Sequence, residues 1–229
     1  MRIVLINPNT SRETTERMVE IARHTAGGKA EIEGLTVRSG ADLITDEAAL
    51  SRAAEAVAEI IGRFADDEPD GVLISAFGDP GLDAVREACS CPVVGIAEAS
   101  MFEAGRGGRR FGVATTTPSL VDAIRKRAES YGFGGQFTSV RTTPGDPAAL
   151  MGRADDLVAA LAQAVREAVE LDGAEAVIIG GGPLGDAAGD LSRRLDVPVI
   201  EPIPAGIRLL LEHHYGRRQE ALAGGGRGT

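Results

Sequence analysis

Short apolar runs alternate along this chain with longer stretches in which apolar residues recur every three or four positions. "RIVLI" is followed by a helical pattern from about Ser11 to His24, and "AEIEGLTV" predicts a second strand. Within "ITDEAALSRAAEAVAEIIGRF", Leu50, Ala54, Val57, Ile61 and Phe64 fall on one helix face. "GVLIS", "PVVGIA", "RFGVATT", "QFTSVRT", "EAVIIG" and "VPVIEPI" predict further strands. Helices are expected to begin near Pro80, Ala97, Pro118, Ala154, Pro183 and Pro204. Such repeated alternation of strand and helix predicts the α/β class, with parallel sheet and helices on its faces. The glycine-rich end "AGGGRGT" predicts a frayed tail.

Two plans occur twice, in the same order. "VLINPNTSRETTERM" and "GVATTTPSLVDAIRKR" each read as strand, Thr/Ser/Pro loop and helix. "GVLISAFGDPGLDAV" and "AVIIGGGPLGDAAGDL" each read as strand, glycine-proline turn and helix. The duplication predicts two similar lobes, residues 1–96 with 206–229 and residues 97–205. Ligands collect at the carboxyl ends of parallel strands. All four loops are therefore expected to face one cleft between the lobes.

Composition narrows the partners. A formal net charge of -10 disfavours nucleic acid and anionic membrane surfaces unless basic residues are segregated. "RGGRR" and "HHYGRRQ" are short and lack interleaved aromatics, as expected of solvated loops and helix ends. No apolar run approaches the ~20 residues of a membrane span, and the first residues lack a signal-peptide pattern. The expectation is a cytoplasmic protein acting on small molecules. The only cysteines, Cys89 and Cys91, and the three histidines, His24, His213 and His214, do not make up a structural metal set. The two thiols are expected to stay reduced.

The loops carry the candidate chemistry. In "NPNTSRE", Thr10 as N-cap and Glu13 three positions on form a capping-box pattern. Asn7, Asn9, Thr10 and Ser11 add hydrogen-bonding side chains beside free backbone N–H groups, where a helix start favours anions. In "TTTPS", Thr115 and Thr116 precede Thr117, which can cap, while Pro118 suits the first helical position. "GGGPLG" satisfies G-x-G-x-x-G at Gly180, Gly182 and Gly185, with Glu201 at the spacing of a ribose-binding acid. Too little chain follows to build a dinucleotide-binding sheet, and Pro183 removes an N–H where phosphate would approach.

"VLINPNTS", "AFGDPGLDAVREA" with "PVVGIAEAS" after it, and "FGVATTTPSL" together resemble the hydantoin and allantoin racemase branch of the aspartate/glutamate racemase superfamily. The similarity runs in order over nearly the whole chain. It implies two pseudo-symmetric Rossmann-like lobes with parallel sheets and an active-site cleft between them. It also implies homo-oligomeric assembly and no cofactor. In such enzymes two cysteines on opposite faces of the substrate remove and return the Cα proton.

The resemblance places the first cysteine where this chain has Ala76 and the second where it has Gly181. Cys89 and Cys91 lie at the far end of the helix after "FGDPGL" and do not stand in for them. The substrate-gripping positions, Asn7, Asn9, Thr10, Ser11, Ser75, Ala76, Phe77, Gly78, Thr115, Thr116, Thr117, Gly181, Gly182 and Pro183, are otherwise in place. Three readings follow. In the first, the scaffold acts on a small carboxylate or cyclic ureide through an enolate-like state without thiols, as an isomerase, decarboxylase or lyase. Asp79, Ser75 or a threonine would then move protons, although an acid at the position of Asp79 often serves as a cap. Alternatively the protein binds a metabolite without chemistry, or racemises with other residues. Glu98 and Glu103 can equally lie on a solvated helix face. Two small replacements enlarge the pocket, which favours a bulkier substrate or an ordered water.

Overall fold

The computed structural model describes residues 1–64 and 67–224, so residues 225–229 of the expected frayed tail lie outside it. In the first half, β1 (Arg2–Asn7), α1 (Arg12–Ala26), β2 (Glu31–Thr36), α2 (Glu47–Glu59), β3 (Gly71–Ile74), α3 (Leu82–Ala88), β4 (Val93–Gly95) and α4 (Ile96–Ala104) follow in turn. In the second, β5 (Phe111–Thr115), α5 (Val121–Ser130), β6 (Phe137–Thr142), α6 (Pro147–Met151), α7 (Ala154–Glu170), β7 (Ala176–Ile179), α8 (Gly185–Arg194) and β8 (Val199–Ile200) lead into α9 (Pro202–Gly224). Two parallel four-stranded sheets result, ordered β2-β1-β3-β4 and β6-β5-β7-β8. The same strand order in both halves matches the repeated sequence plans. No helix among the described residues is long and apolar enough to cross a membrane.

Alternation along the strands sorts side chains into layers. Ile3 and Leu5 of β1, Leu73 of β3, Phe111 and Val113 of β5, and Ala176 and Ile178 of β7 point into one shared core with α1, α4 and α9. Their neighbours point outward: Val4, Ile6, Val72 and Ile74 pack under α2 and α3. Ala114, Val177 and Ile179 pack under α7 and α8. Strands buried on both faces read as continuous apolar runs, which is why "GVLI" and "AVII" show no polar alternation. Helix α9 returns to the first sheet and packs so closely that a Cβ at Gly206 would sit 2.4 Å from Leu73 Cδ1.

Three local expectations change. The N-cap of α1 is Ser11, whose Oγ accepts from Thr14 N, and the Thr10 N–H one residue earlier is held by Ala41 O. Glu13 closes no capping box and instead pairs with Arg17 on the surface. Pro118 and Pro183 each open a single 3-10 turn, Pro118–Leu120 and Gly182–Leu184, and the α-helices follow at Val121 and Gly185. The short helix α6 was not expected from the sequence. Asp146 caps it through Ala149 N, and Pro147 occupies its first turn.

Candidate functional site

The carboxyl ends of β1, β3, β5 and β7 point to one cavity between the sheets. Asn9, Ser75, Ala76, Phe77, Thr115, Thr116, Thr117, Gly181, Gly182 and Pro183 line it, together with Gly180. Leu43, Ile44, Leu120, Ile124, Met151 and Leu184 add an apolar wall. The lining contains no ionisable side chain. At Gly182 the loops of the two halves meet, since a Cβ there would lie 2.4 Å from Ser75 O.

Each polar group has a defined task. Asn7 is fully buried and braces its loop: its Nδ2 donates to Asn9 Oδ1 at 2.8 Å and to Thr15 Oγ1 at 3.0 Å. Its Oδ1 accepts from Asn9 N. Asn9 Oδ1 is thus committed to Asn7 and to Ser11 N, while its Nδ2 makes no hydrogen bond among the described residues. Ser75 Oγ donates to Ile6 O at 2.7 Å, so its proton ties β3 to β1. Thr115 Oγ1 donates to Gly180 O and contacts Thr117 Oγ1, linking the ends of β5 and β7. Thr117 makes no side-chain cap, contrary to expectation. Among the described residues, the backbone N–H groups of Ala76, Phe77, Thr116 and Thr117 have no backbone partner. The cavity therefore offers amide and hydroxyl donors on one side and hydrocarbon on the other.

Five expected site residues, the buried Asn7 among them, lie off the cavity lining. Thr10 faces a separate surface groove with Arg12 and Arg38, and Ser11 is spent on its helix. Gly78, at φ 110°, makes the turn against Leu50. Asp79, the proposed proton carrier, does not line the cavity. It is 1% exposed, and its carboxylate accepts from Ala97 N at 2.9 Å, Glu98 N at 2.8 Å and the Tyr131 hydroxyl at 2.7 Å. It caps α4 and reaches α5, a contact open only because residue 95 is glycine: a Cβ there would sit 2.1 Å from Asp79 Cγ. Burial pushes Asp79 up to about 6 against the lowering effect of its three donors. Glu98 pairs with Arg86 and Glu103 with Arg208, both outside the cavity.

The six apolar wall residues escaped the sequence reading. Leu43 and Ile44 had a signal, an apolar pair stranded in the polar loop before α2. Leu120 and Ile124 read as ordinary helix core, and Met151 depends on α6. In the glycine motif, Gly185 packs against α1: a Cβ there would sit 2.5 Å from Ile21 Cδ1. Cys89 and Cys91 lie at the amino end of β4, across the sheet from the cavity. Burial, then Cys89 and Glu68, push Cys91 up to about 12, so it is a thiol at neutral pH.

The family model described as Asp/Glu/Hydantoin racemase matches residues 3–210. The chain belongs to this racemase family. A hydantoin racemase of Pseudomonas sp. (strain NS671) is 32% identical over 208 residues, covering 91% of this chain and 84% of the relative. The allantoin racemase from Klebsiella pneumoniae superposes with a TM-score of 0.88 at 33% identity, over 94% of this chain and 89% of that one. Arylmalonate decarboxylase, at 20% identity and a TM-score of 0.64 over 94% of this chain and 93% of that one, shares the fold. Ala76 and Gly181, the positions to which the sequence resemblance assigns thiols, both line the cavity and carry no ionisable side chain.

Proposed function

We propose that this chain is a cofactor-independent enzyme of the racemase family that acts on a small carboxylate or cyclic ureide through an enolate-like state, without catalytic cysteines. The observation that carries this reading is the lining without any ionisable side chain. Two-base racemisation needs a proton carrier on each face of Cα. Here those positions hold a methyl group and a hydrogen. Positioned acid–base groups contribute roughly 10²–10⁴-fold each, and the loss of two raises the barrier by about 5 kcal/mol or more.

Cleavage of the carbon–carbon bond to a carboxylate needs no base to begin. In a decarboxylation the bonding pair of the departing CO2 passes into the adjacent carbonyl, and water then supplies the proton to carbon. The donors available to the resulting oxyanion are Asn9 Nδ2, the Thr116 hydroxyl and the free N–H groups of the loops, joined by the Thr117 hydroxyl when it turns from Thr115 Oγ1. The apolar wall strips water from the carboxylate that leaves. Asp79 acts as a positioning residue in this scheme, since its carboxylate is fully engaged in holding α4 and α5.

The test is turnover of a panel of small carboxylates, α-substituted malonates, hydantoins and allantoin, with product and CO2 measured together with solvent deuterium at Cα. Bond cleavage with background deuterium uptake by unreacted hydantoins, allantoin, aspartate and glutamate is expected. Rapid Cα exchange without cleavage would sink the proposal in favour of racemisation by other groups. Saturable binding without turnover of any member would assign the chain to the second reading, a non-catalytic metabolite binder.

A further inference from the structure

Three acids among the described residues just before β3, Asp67, Glu68 and Asp70, have different partners. Asp67 pairs with Arg2 at 2.9 Å, and Asp70 lies 3.9 Å from the amino-terminal ammonium. Glu68 pairs with no cation among the described residues. Its carboxylate turns instead to the segment Cys89–Ser90–Cys91. Oε1 accepts from Ser90 N and Cys91 N, and Oε2 accepts from Ser90 Oγ at 2.7 Å. One carboxylate oxygen and the two sulfurs all lie within 4.8 Å of one another. Both cysteines are partly exposed and unpaired.

We infer that Glu68, Cys89 and Cys91 form a binding site for a thiophilic d10 divalent cation such as Zn2+ or Cd2+. Metal–sulfur bonds of about 2.3 Å and metal–oxygen bonds of about 2.0–2.2 Å bring such donors to one centre, and small side-chain rotations suffice from the present separations. Two sulfur donors select soft or borderline ions over Mg2+ and Ca2+, which prefer oxygen.

The site is held before any ion arrives. Cys89 ends α3, its N–H bonded to Val85 O, and Pro92 follows Cys91 directly into β4. Glu68 clamps the intervening residue through both the backbone and the hydroxyl of Ser90. Oε2 accepts only that hydroxyl and keeps a lone pair for a cation. A carboxylate without a counter-cation, set beside two thiols, supplies negative charge that a disulfide would not use. Glu68 is exposed and both cysteines are partly exposed, so an ion held here would exchange with solvent. This differs from a closed structural centre, which the cysteine and histidine count disfavours. A sequence count had no means to bring Glu68 to the cysteines across 21 positions of chain.

The experiment uses the full chain, reduced and metal-free, titrated with CdCl2 while the ultraviolet thiolate-to-cadmium charge-transfer band is recorded. The band should saturate at one equivalent and be displaced by Zn2+. The Cys89→Ser, Cys91→Ser variant should lose it, and Glu68→Gln, which keeps an acceptor for Ser90, should keep the band but bind about tenfold or more weakly. Thermal melts of both variants establish that they are folded. No band, a band that persists in the double variant, or unchanged affinity in Glu68→Gln would overturn the assignment. Isolation of a Cys89–Cys91 disulfide, with no band after its reduction, would overturn it in favour of a redox pair.

Discussion

Asn9 spends its carbonyl oxygen on Asn7 and Ser11 and keeps its amide for the cavity. That division makes it the clearest ligand contact at the scale of single residues. Thr117 is similar: its hydroxyl meets Thr115 across the loop but caps no helix. A hydrogen bond to a charged partner is worth about 1.5–3 kcal/mol. Asn9→Ala and Thr117→Ala should each weaken binding of the acid or ureide identified in the substrate panel by about tenfold or more. Titration calorimetry of both variants, with unfolding measured alongside, checks this. Unchanged affinity in both would remove these residues from the site. Asn7 shows the complementary lesson. It looks like a ligand residue in sequence, yet it is fully buried and holds Asn9 in place.

At the scale of elements, Asp79 joins three of them. The turn after β3 places its carboxylate at the start of α4 and against Tyr131 at the end of α5. Burial holds its pKa at about 6, above the ordinary 3.8. The native state therefore binds the Asp79 proton more tightly than the unfolded chain does. The stabilisation this provides is complete below the unfolded value and is lost as pH rises through about 6. Relative to Asp79→Asn, whose amide does not titrate, the wild type should lose stability on the order of 3 kcal/mol between pH 4 and pH 7. Urea denaturation of both proteins at intervals across that range measures the difference. A difference that stays constant, or grows in the wild type's favour with pH, contradicts the burial argument.

The molecule as a whole has one inner core. Leu5 and Leu73 from the first sheet and Phe111, Val113 and Ile178 from the second belong to the same cluster, which α1, α4 and α9 complete. Neither half can keep its inner face dry alone. The two halves should therefore unfold in a single transition, with far-ultraviolet circular dichroism and tyrosine fluorescence coinciding. Leu73→Ala, which also empties the contact with Gly206, should lower the stability of that one transition by about 2–5 kcal/mol. Two separated transitions would contradict the shared core.

Periodicity along the chain was enough to determined the α/β class, nearly every strand and the repeated plan. Those depend on spacings of two and of three to four residues, which are local and survive in a linear reading. The loops that reach the cavity were legible for the same reason, since each follows a strand directly. The wall built from Leu43, Ile44, Leu120, Ile124, Met151 and Leu184 was decided only by the packing of α2, α5, α6 and α8 around the strand ends. Tertiary structure also settled the place of Asp79. Whether an acid in a glycine turn faces a ligand or a helix start depends on what lies opposite, and here Gly95 leaves room for its carboxylate to cap α4. The approach of Glu68 to Cys89 and Cys91 is likewise a consequence of the β3–β4 pairing, because contacts between distant segments leave no mark on local spacing.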